Sequence, residues 1–373
     1  MSGATDPCLV YKPITTDGGL ERYVAELAVT LDAPIYTPVQ TTSLPEASTG
    51  DRPTVVEFRA SDWVRSLLDR LPVGAVVDVL EYEAFEVPDE HDLVVTVGEA
   101  TKAVVHRPHQ HRLHLLNMPP RWLFDLGPGR YDGSPAPVRW GKRLYQSAVR
   151  AHDVGTVHRI DQFVVPSETI GRRLRTYYHR TPERVIYPPV DTERYWFEGT
   201  EGFLLYLGRL APAKRVVELV EALSATDHRL TIAGTGPRQA AVERAAGANV
   251  EVLGYVSEER KRDLLATCDA LVFNSDREAF GIVPIEAMAS GKPVVGVDEG
   301  YTSHQIEDGV NGVLFDRGTA NLRAAVDRAY ATEWDPEAIQ RTAERFDTAR
   351  FREAWRDLRG SLDDGGAPTD PKD

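Results

Sequence analysis

Cysteine is nearly absent: Cys8 and Cys268 are the only two in 373 residues. One pair is no disulfide framework, and a chain of this length needs none to fold. Reduced thiols and a cytoplasmic address are expected. Lysine is scarce too, seven residues against 36 arginines, and 57 acidic side chains outnumber 43 basic ones for a net charge of −14. A chain so acidic is a poor general binder of nucleic acid, because phosphate contacts need cations. Excess acid with little lysine resembles halophilic proteins from salt-loving microbes; GC-rich codon usage would leave a similar bias. No apolar run approaches the roughly 18 residues of a membrane span. The start, MSGATDPCLVYK, has no basic stretch followed by an apolar one. Neither a spanning helix nor a signal peptide is therefore expected, and any membrane contact would be peripheral.

What the chain does have is a rhythm of short β-rich runs alternating with helical patterns. In the first half, Cys8–Tyr11, Thr54–Glu57, Ala75–Val79, Asp92–Val97 and Gln162–Val165 read as strands. Leu20–Leu31, Ser61–Leu71, Val138–His152 and Ser167–Tyr178 read as helices. The second half repeats the pattern more cleanly, with strands at Phe203–Leu207, Leu230–Ala233, Val250–Leu253, Ala270–Phe273 and Pro293–Val297. Between them lie helices at Ala213–Ala225, Arg238–Ala246, Ser257–Cys268 and Phe280–Ser290. Such alternation indicates doubly wound parallel sheets. Two series meet at Tyr187-Pro188-Pro189-Val190-Asp191, where consecutive prolines cannot continue a ladder and favour a stiff, extended joint. The α/β class follows, with two Rossmann-like domains and ligands expected at the carboxyl ends of the strands.

Three strand-to-helix segments carry candidate chemistry. In NSDREAFGIVPIEAMAS, Phe280, Gly281 and Ile282 open a helix, where unpaired amides and the dipole favour a phosphate. Glu278 precedes that helix and Glu286 sits within it, placed to reach a sugar hydroxyl along the same edge. Against this, a glutamate at a helix start and a solvated helix glutamate are ordinary features. In LLYLGRLAPAKR, Gly208 frees the backbone, and Arg209 and Lys214 supply two cations able to neutralise a diphosphate. Gly18 and Gly19 form a third turn after the first strand. Gly234-Thr235-Gly236 lacks the rest of a dinucleotide fingerprint and reads as a turn lining the cleft. His106, His109, His111 and His114 crowd nine residues; with no cysteine among them they read as a polar surface loop.

The succession GRLAPAKR, IAGTGP, VLGYVS, EAFGIVPIEAMASGKPVV and DGVNGVLF resembles the donor half of retaining glycosyltransferases of family 4, which have the GT-B fold. DGGLERYVAELA, MPPRWLFDL, VVPSETIGRRL and VIYPPVD resemble the first loop and acceptor-domain stretches of its mannosyltransferase-like members. The resemblance implies two Rossmann-like domains facing a central cleft. An acceptor-side domain spans 1–190 and a nucleotide-sugar domain 191–345. A helix over 346–364 would cross back to the first domain, and the polar, Gly- and Pro-containing composition of 365–373 leads to the expectation of a disordered tail. It implies a donor diphosphate gripped by Arg209 and Lys214, a ribose held by Glu286, and Glu278 near the transferred sugar. The amides of Phe280, Gly281 and Ile282 would contact phosphate and sugar. Tyr255 would border the base, and Gly18 and Gly19 would lie under the diphosphate and acceptor. Where this family commonly carries a histidine in the cleft, the chain has Asn117, which can hydrogen-bond but cannot shuttle a proton at neutral pH.

No Asp-x-Asp occurs, the usual sequence sign of a metal on a nucleotide diphosphate. Metal independence without a cofactor is therefore expected, and the resemblance implies a retaining hexosyltransferase. It would move a sugar from a nucleotide sugar, with GDP-mannose favoured, to a glycan or a polyprenyl- or dolichyl-phosphate-linked acceptor, retaining configuration. Two alternatives stand: an epimerase or hydrolase of nucleotide sugars on the same fold, and a catalytically silent subunit that binds them. Arg121, Arg172, Arg173, Arg175 and Arg180, with Trp140, Tyr145, Tyr177 and Tyr178, are candidates for a surface facing the acceptor or an anionic membrane on its cytoplasmic face. An Arg-rich helix salt-bridged within an acidic protein is the plainer reading.

Overall fold

A computed structural model describes residues 5–15, 18–58, 74–127 and 133–363. The chain divides into two compact units: Met1–Tyr187 with Phe351–Asp373, and Pro188–Arg350.

The first unit holds a seven-stranded sheet in which all pairings are parallel. Its strands are β1 (Pro7–Tyr11), β2 (Ile35–Thr37), β3 (Val55–Glu57), β4 (Leu93–Val97), β5 (His111–Leu115), β6 (Gln162–Val165) and β7 (Arg184–Val185), in spatial order β3-β2-β1-β4-β5-β6-β7. Central strands β1 and β4 are buried at every residue, as parallel strands covered on both faces must be. On one face, α1 (Gly19–Leu31) packs Val24 and Leu27 against Leu9 and Val95. The last helix among the described residues, Thr348–Asp363, adds Phe351, Trp355 and Leu358 to the same core. Arg352 bonds Glu26 at 2.6 Å and Arg359 bonds the Leu31 carbonyl at 2.9 Å, which ties that helix to this unit. On the other face, Cys8, Val10 and Val94 meet Tyr82 and Val87.

Two expectations are corrected here. Ala75–Val79 is not a strand but lies in α2 (Gly74–Glu83). Its valines suggested a strand, yet β propensity is weak where packing decides otherwise. Tyr82 covers the sheet from this helix and donates to the Tyr11 carbonyl at 2.9 Å. The histidine stretch is a surface loop only in its first half: His106 and His109 precede β5, whereas His111 and His114 lie on it, and His114 is buried against Thr96 at 2.8 Å. The short strands β2 and β7 had no reading in the sequence. The Ser61–Leu71 helix and the 365–373 tail fall outside the described residues.

The second unit repeats the wind. Strands β8 (Leu204–Leu207), β9 (Leu230–Ala233), β10 (Val250–Gly254), β11 (Ala270–Phe273), β12 (Val294–Val297) and β13 (Gly312–Phe315) lie in order β10-β9-β8-β11-β12-β13, again all parallel. Helices alternate with them. After α3 (Ala136–Thr156) and α4 (Glu168–Tyr178) of the first unit come α5 (Val216–Leu223), α6 (Gln239–Ala245), α7 (Glu258–Thr267) and α8 (Ile282–Ala289). Leu204, Ile232, Val272 and Val295 join Leu219 and Val326 in one core. That core fixes the strands, so the loops at their carboxyl ends stand side by side.

Candidate active site

In the second unit, the loop after β11 and the loop after β8 are joined by backbone. The Asp276 amide donates to the Ala213 carbonyl at 2.7 Å. Gly281 caps α8 at φ 88°, in the left-handed region, and a Cβ there would sit 3.2 Å from Phe273. No side chain caps α8, so its first amides remain for an anion. Lys214 is ion-paired with Glu278, and Ser275 donates to the same carboxylate oxygen at 2.5 Å. Burial by itself would raise the Glu278 carboxyl. Lys214, Ser275 and the Ala279 amide outweigh it and hold the group below the ordinary carboxylate range. Glu278 is thus a charged acceptor at neutral pH, not a proton donor. Arg209 is exposed in the β8 loop, and its guanidinium has no acceptor among the described residues.

Glu286 is buried inside α8, 5 % exposed. Tyr195 and Lys261 donate to the same oxygen, Oε1, at 2.7 and 2.8 Å. Lys261 also pairs with Glu258 at 2.8 Å. Two donors on one oxygen hold the carboxylate in a single orientation. Neither Tyr195 nor Lys261 was singled out in the sequence. The signal existed: Lys261, Leu264 and Leu265 are buried together at i, i+3 and i+4 of α7, so the lysine falls on an apolar stripe. A lysine there calls for a buried acid.

Other candidates divide by what their neighbours do. A Cβ on Gly234 would lie 2.0 Å from the Gly208 carbonyl oxygen; this glycine keeps the β8 and β9 loops in backbone contact. Phe280 is 4 % exposed and packs its ring on Tyr301 and Phe346. Ile282 is the first residue of α8. Tyr255 is 82 % exposed after β10.

In the first unit, Gly18 caps α1 with extended backbone, and Glu21 lies against it. Glu21 is buried and accepts from Tyr11 at 3.0 Å and Lys12 at 2.6 Å. Beneath the Gly18–Gly19 turn there is thus a carboxylate. Asn117 follows β5 and lines a cavity of about 400 Å³ together with His114. Burial, then Lys102, pushes the His114 imidazole well below its ordinary range, so it stays neutral and is no proton shuttle at neutral pH. The five arginines do not form one solvent-facing surface. Arg121 chelates Asp125 at 2.8 Å. Arg180 donates to the Ile160 and Asp161 carbonyls at 3.1 and 2.8 Å. Arg173 reaches the Met118 sulfur. Arg172 and Arg175 stay exposed on α4. Tyr145 and Tyr177 stack inward on Trp122 and Phe124, whereas Trp140 is 70 % exposed.

Comparison with known proteins bears on both units. D-inositol 3-phosphate glycosyltransferase of Frankia alni is 28 % identical, over 81 % of this chain and 83 % of its own. GDP-mannose-dependent alpha-(1-6)-phosphatidylinositol dimannoside mannosyltransferase of Mycobacterium tuberculosis is 34 % identical over 109 residues, 27 % of this chain and 29 % of its own. Other curated relatives are matched over about half their length, from 40 to 56 %. Anabaena HepE, solved with UDP-glucose, superimposes with a TM-score of 0.67 at 18 % identity, over 95 % of this chain and 99 % of its own. At that identity the likeness concerns the fold, two Rossmann-like units as in GT-B glycosyltransferases. Residues 192–346, which lie within the second unit and include its Lys214–Glu278 pair and α8, match the family model Glycosyl transferases group 1.

Proposed function

We propose that the protein is a glycosyltransferase that takes its sugar from a nucleotide-sugar donor held by the second unit. The observation that carries this reading is the convergence of Lys214, Glu278 and the uncapped α8 terminus within the segment that matches the family. Lys214 is neutralised by Glu278 until a diphosphate arrives. It then faces both the leaving phosphate and the carboxylate, while Arg209 and the α8 amides share the developing negative charge. Glu278, kept ionised, accepts from a hydroxyl of the transferred sugar or steadies positive charge on its ring. Glu286, oriented through Oε1, offers Oε2 to the ribose diol. The departing diphosphate can take the acceptor's proton on the same face, which would retain configuration. Two cations and a helix terminus do the work a metal would otherwise do, so the reaction is metal-independent. GDP-mannose is the favoured donor, on the mannosyl-type stretches of the first unit and the mycobacterial relative. A glycan or lipid-linked acceptor, and peripheral contact through the exposed face of α3, complete the reading.

Lys214→Ala and Glu286→Ala each test it. Transfer should fall at least on the order of 10²-fold if these groups stabilise charge in the transition state, with the fold intact by circular dichroism. Chelator should leave the parent rate unchanged. Near-normal turnover in both variants, or a chelator-sensitive rate restored by magnesium, would overturn the assignment.

A further inference from the structure

The segment after β12 closes over the loop that opens α8. The Tyr301 amide donates to the Glu278 carbonyl at 3.0 Å, and a Cβ on Gly300 would stand 2.5 Å from the Glu278 nitrogen, so the two backbones lie in contact. One turn of helix follows, Thr302–Gln305. Gln305 is 1 % exposed, and its Nε2 donates to the Gly281 carbonyl at 3.0 Å. Asn311 donates to the Gln305 backbone carbonyl at 3.1 Å and fixes the residue's own backbone. The Gln305 Oε1 is buried with no partner among the described residues. The bond to Gly281 is therefore the one hydrogen bond this side chain makes there, and a buried amide left half satisfied calls for a reason. The reason lies in the carbonyl it reaches. Before α4 and α7, the residue at the helix start gives its carbonyl to the amide four residues on, Ser167 to Gly171 at 2.9 Å and Ser257 to Lys261 at 2.8 Å. Gly281 stands at φ 88° and ψ 95°, and its carbonyl takes the Gln305 amide.

The peptide between Gly281 and Ile282 is planar and trans, so its C=O and N–H point in opposite directions. Holding the carbonyl on Gln305 aims the Ile282 amide the other way. The same segment does this once already: with the Glu278 carbonyl held by Tyr301, the opposite amide, that of Ala279, meets the Glu278 carboxylate. Resting on the transferase reading, we propose that Gln305 is a positioning residue of the donor site. It touches no substrate; through the Gly281 carbonyl it holds the Ile282 amide toward the donor diphosphate. Gly281 needs such a hold, because a residue without Cβ leaves the peptide plane free to turn. A donor already aimed needs no reorganisation when negative charge arrives.

Calorimetry with GDP and UDP on the full chain tests this. Gln305→Met keeps the bulk and removes the donor. It should weaken whichever nucleotide the parent binds by roughly three- to tenfold, the factor of one net hydrogen bond. Thr302→Val removes a hydroxyl of the same turn that is buried and unpartnered, and it should change nothing. Gln305→Glu separates aiming from mere packing. Its carboxyl can donate to the Gly281 carbonyl only when protonated, and once ionised it sets a negative charge at the terminus meant for phosphate. Burial moves its titration up toward neutrality. At pH 8 its affinity should lie at least about tenfold below the parent's, and at pH 5.5 within about threefold. Each ratio is taken at one pH, so groups common to both proteins, Glu278 and His304 among them, and the nucleotide itself cancel. If Gln305→Met does not fold, the Gln305→Glu ratio decides alone. Equal binding by parent and Gln305→Met would overturn the proposal. So would a loss in Thr302→Val as large as in Gln305→Met, or a Gln305→Glu ratio that is flat with pH; in each case nucleotide binding by the parent leaves the donor reading standing. A parent that binds neither nucleotide would overturn both.

Discussion

Glu286 shows how much one side chain can depend on residues far away in sequence. Its carboxylate is charged and buried, and it is tolerated because Lys261 and Tyr195 both reach Oε1. Removing one partner of a buried pair is expected to cost about 3–5 kcal/mol, because the other charge is left uncompensated. Lys261→Met should therefore lower stability and raise the donor KM more than it lowers kcat. Tyr195→Phe removes a single hydrogen bond and should cost only about 1 kcal/mol. Glu286→Gln added to Lys261→Met should recover part of the lost stability, since no buried charge remains. A double variant no more stable than Lys261→Met alone would show that the pair is not what stabilises this corner. In the sequence, Glu278 and Lys214 stood out as candidates because they sit in loops between a strand end and a helix start, and Glu286 because it lies in the helix that follows. Lys261 and Tyr195 were not, because their roles depend on a partner 25 and 91 residues away.

Helix α3 is the element least explained by the core it belongs to. Along its 21 residues only Gln146, Asp153 and Thr156 are buried, while Val138, Trp140 and Leu144 are 48, 70 and 73 % exposed. Trp140 and Leu144 lie one turn apart, on a stretch that also carries Arg139, Lys142 and Arg143. Large apolar groups beside cations match a helix lying on an anionic lipid surface. Among the described residues no helix is long and apolar enough to cross a membrane. Vesicles containing phosphatidylserine should co-sediment with the protein, neutral vesicles should do so less, and Trp140→Ser with Leu144→Ser should reduce binding several-fold. Equal sedimentation of parent and variant would remove the peripheral-contact reading. The same scale shows why α2 was misread. Valine-rich Ala75–Val79 has the local preference of a strand, and only the sheet beneath Tyr82 decides for a helix.

Across the whole molecule, a net charge of −14 works against compactness through self-repulsion. Raising KCl from 0.1 to 1 M shortens the screening length from about 10 to about 3 Å. The melting temperature should rise over that range; a flat or falling curve would leave the acidic bias to codon usage alone. The architecture was legible because alternating strand and helix periods are local, and each segment carries its own hydrophobic period. The family resemblance lay in loops at strand ends, where glycines and charged groups are written in short consecutive runs. Other features are not written locally. That β5 is a central strand, that His114 is buried and neutral, and that Arg121 and Arg180 serve internal carboxylates and carbonyls depend on which surfaces meet. The order of the chain by itself determined two parallel αβ units and the strand-end loops where the candidate residues gather. Only tertiary packing decided which charges are neutralised and which stay available, because pairing energies depend on distance and burial, and neither is a property of neighbouring residues in the chain.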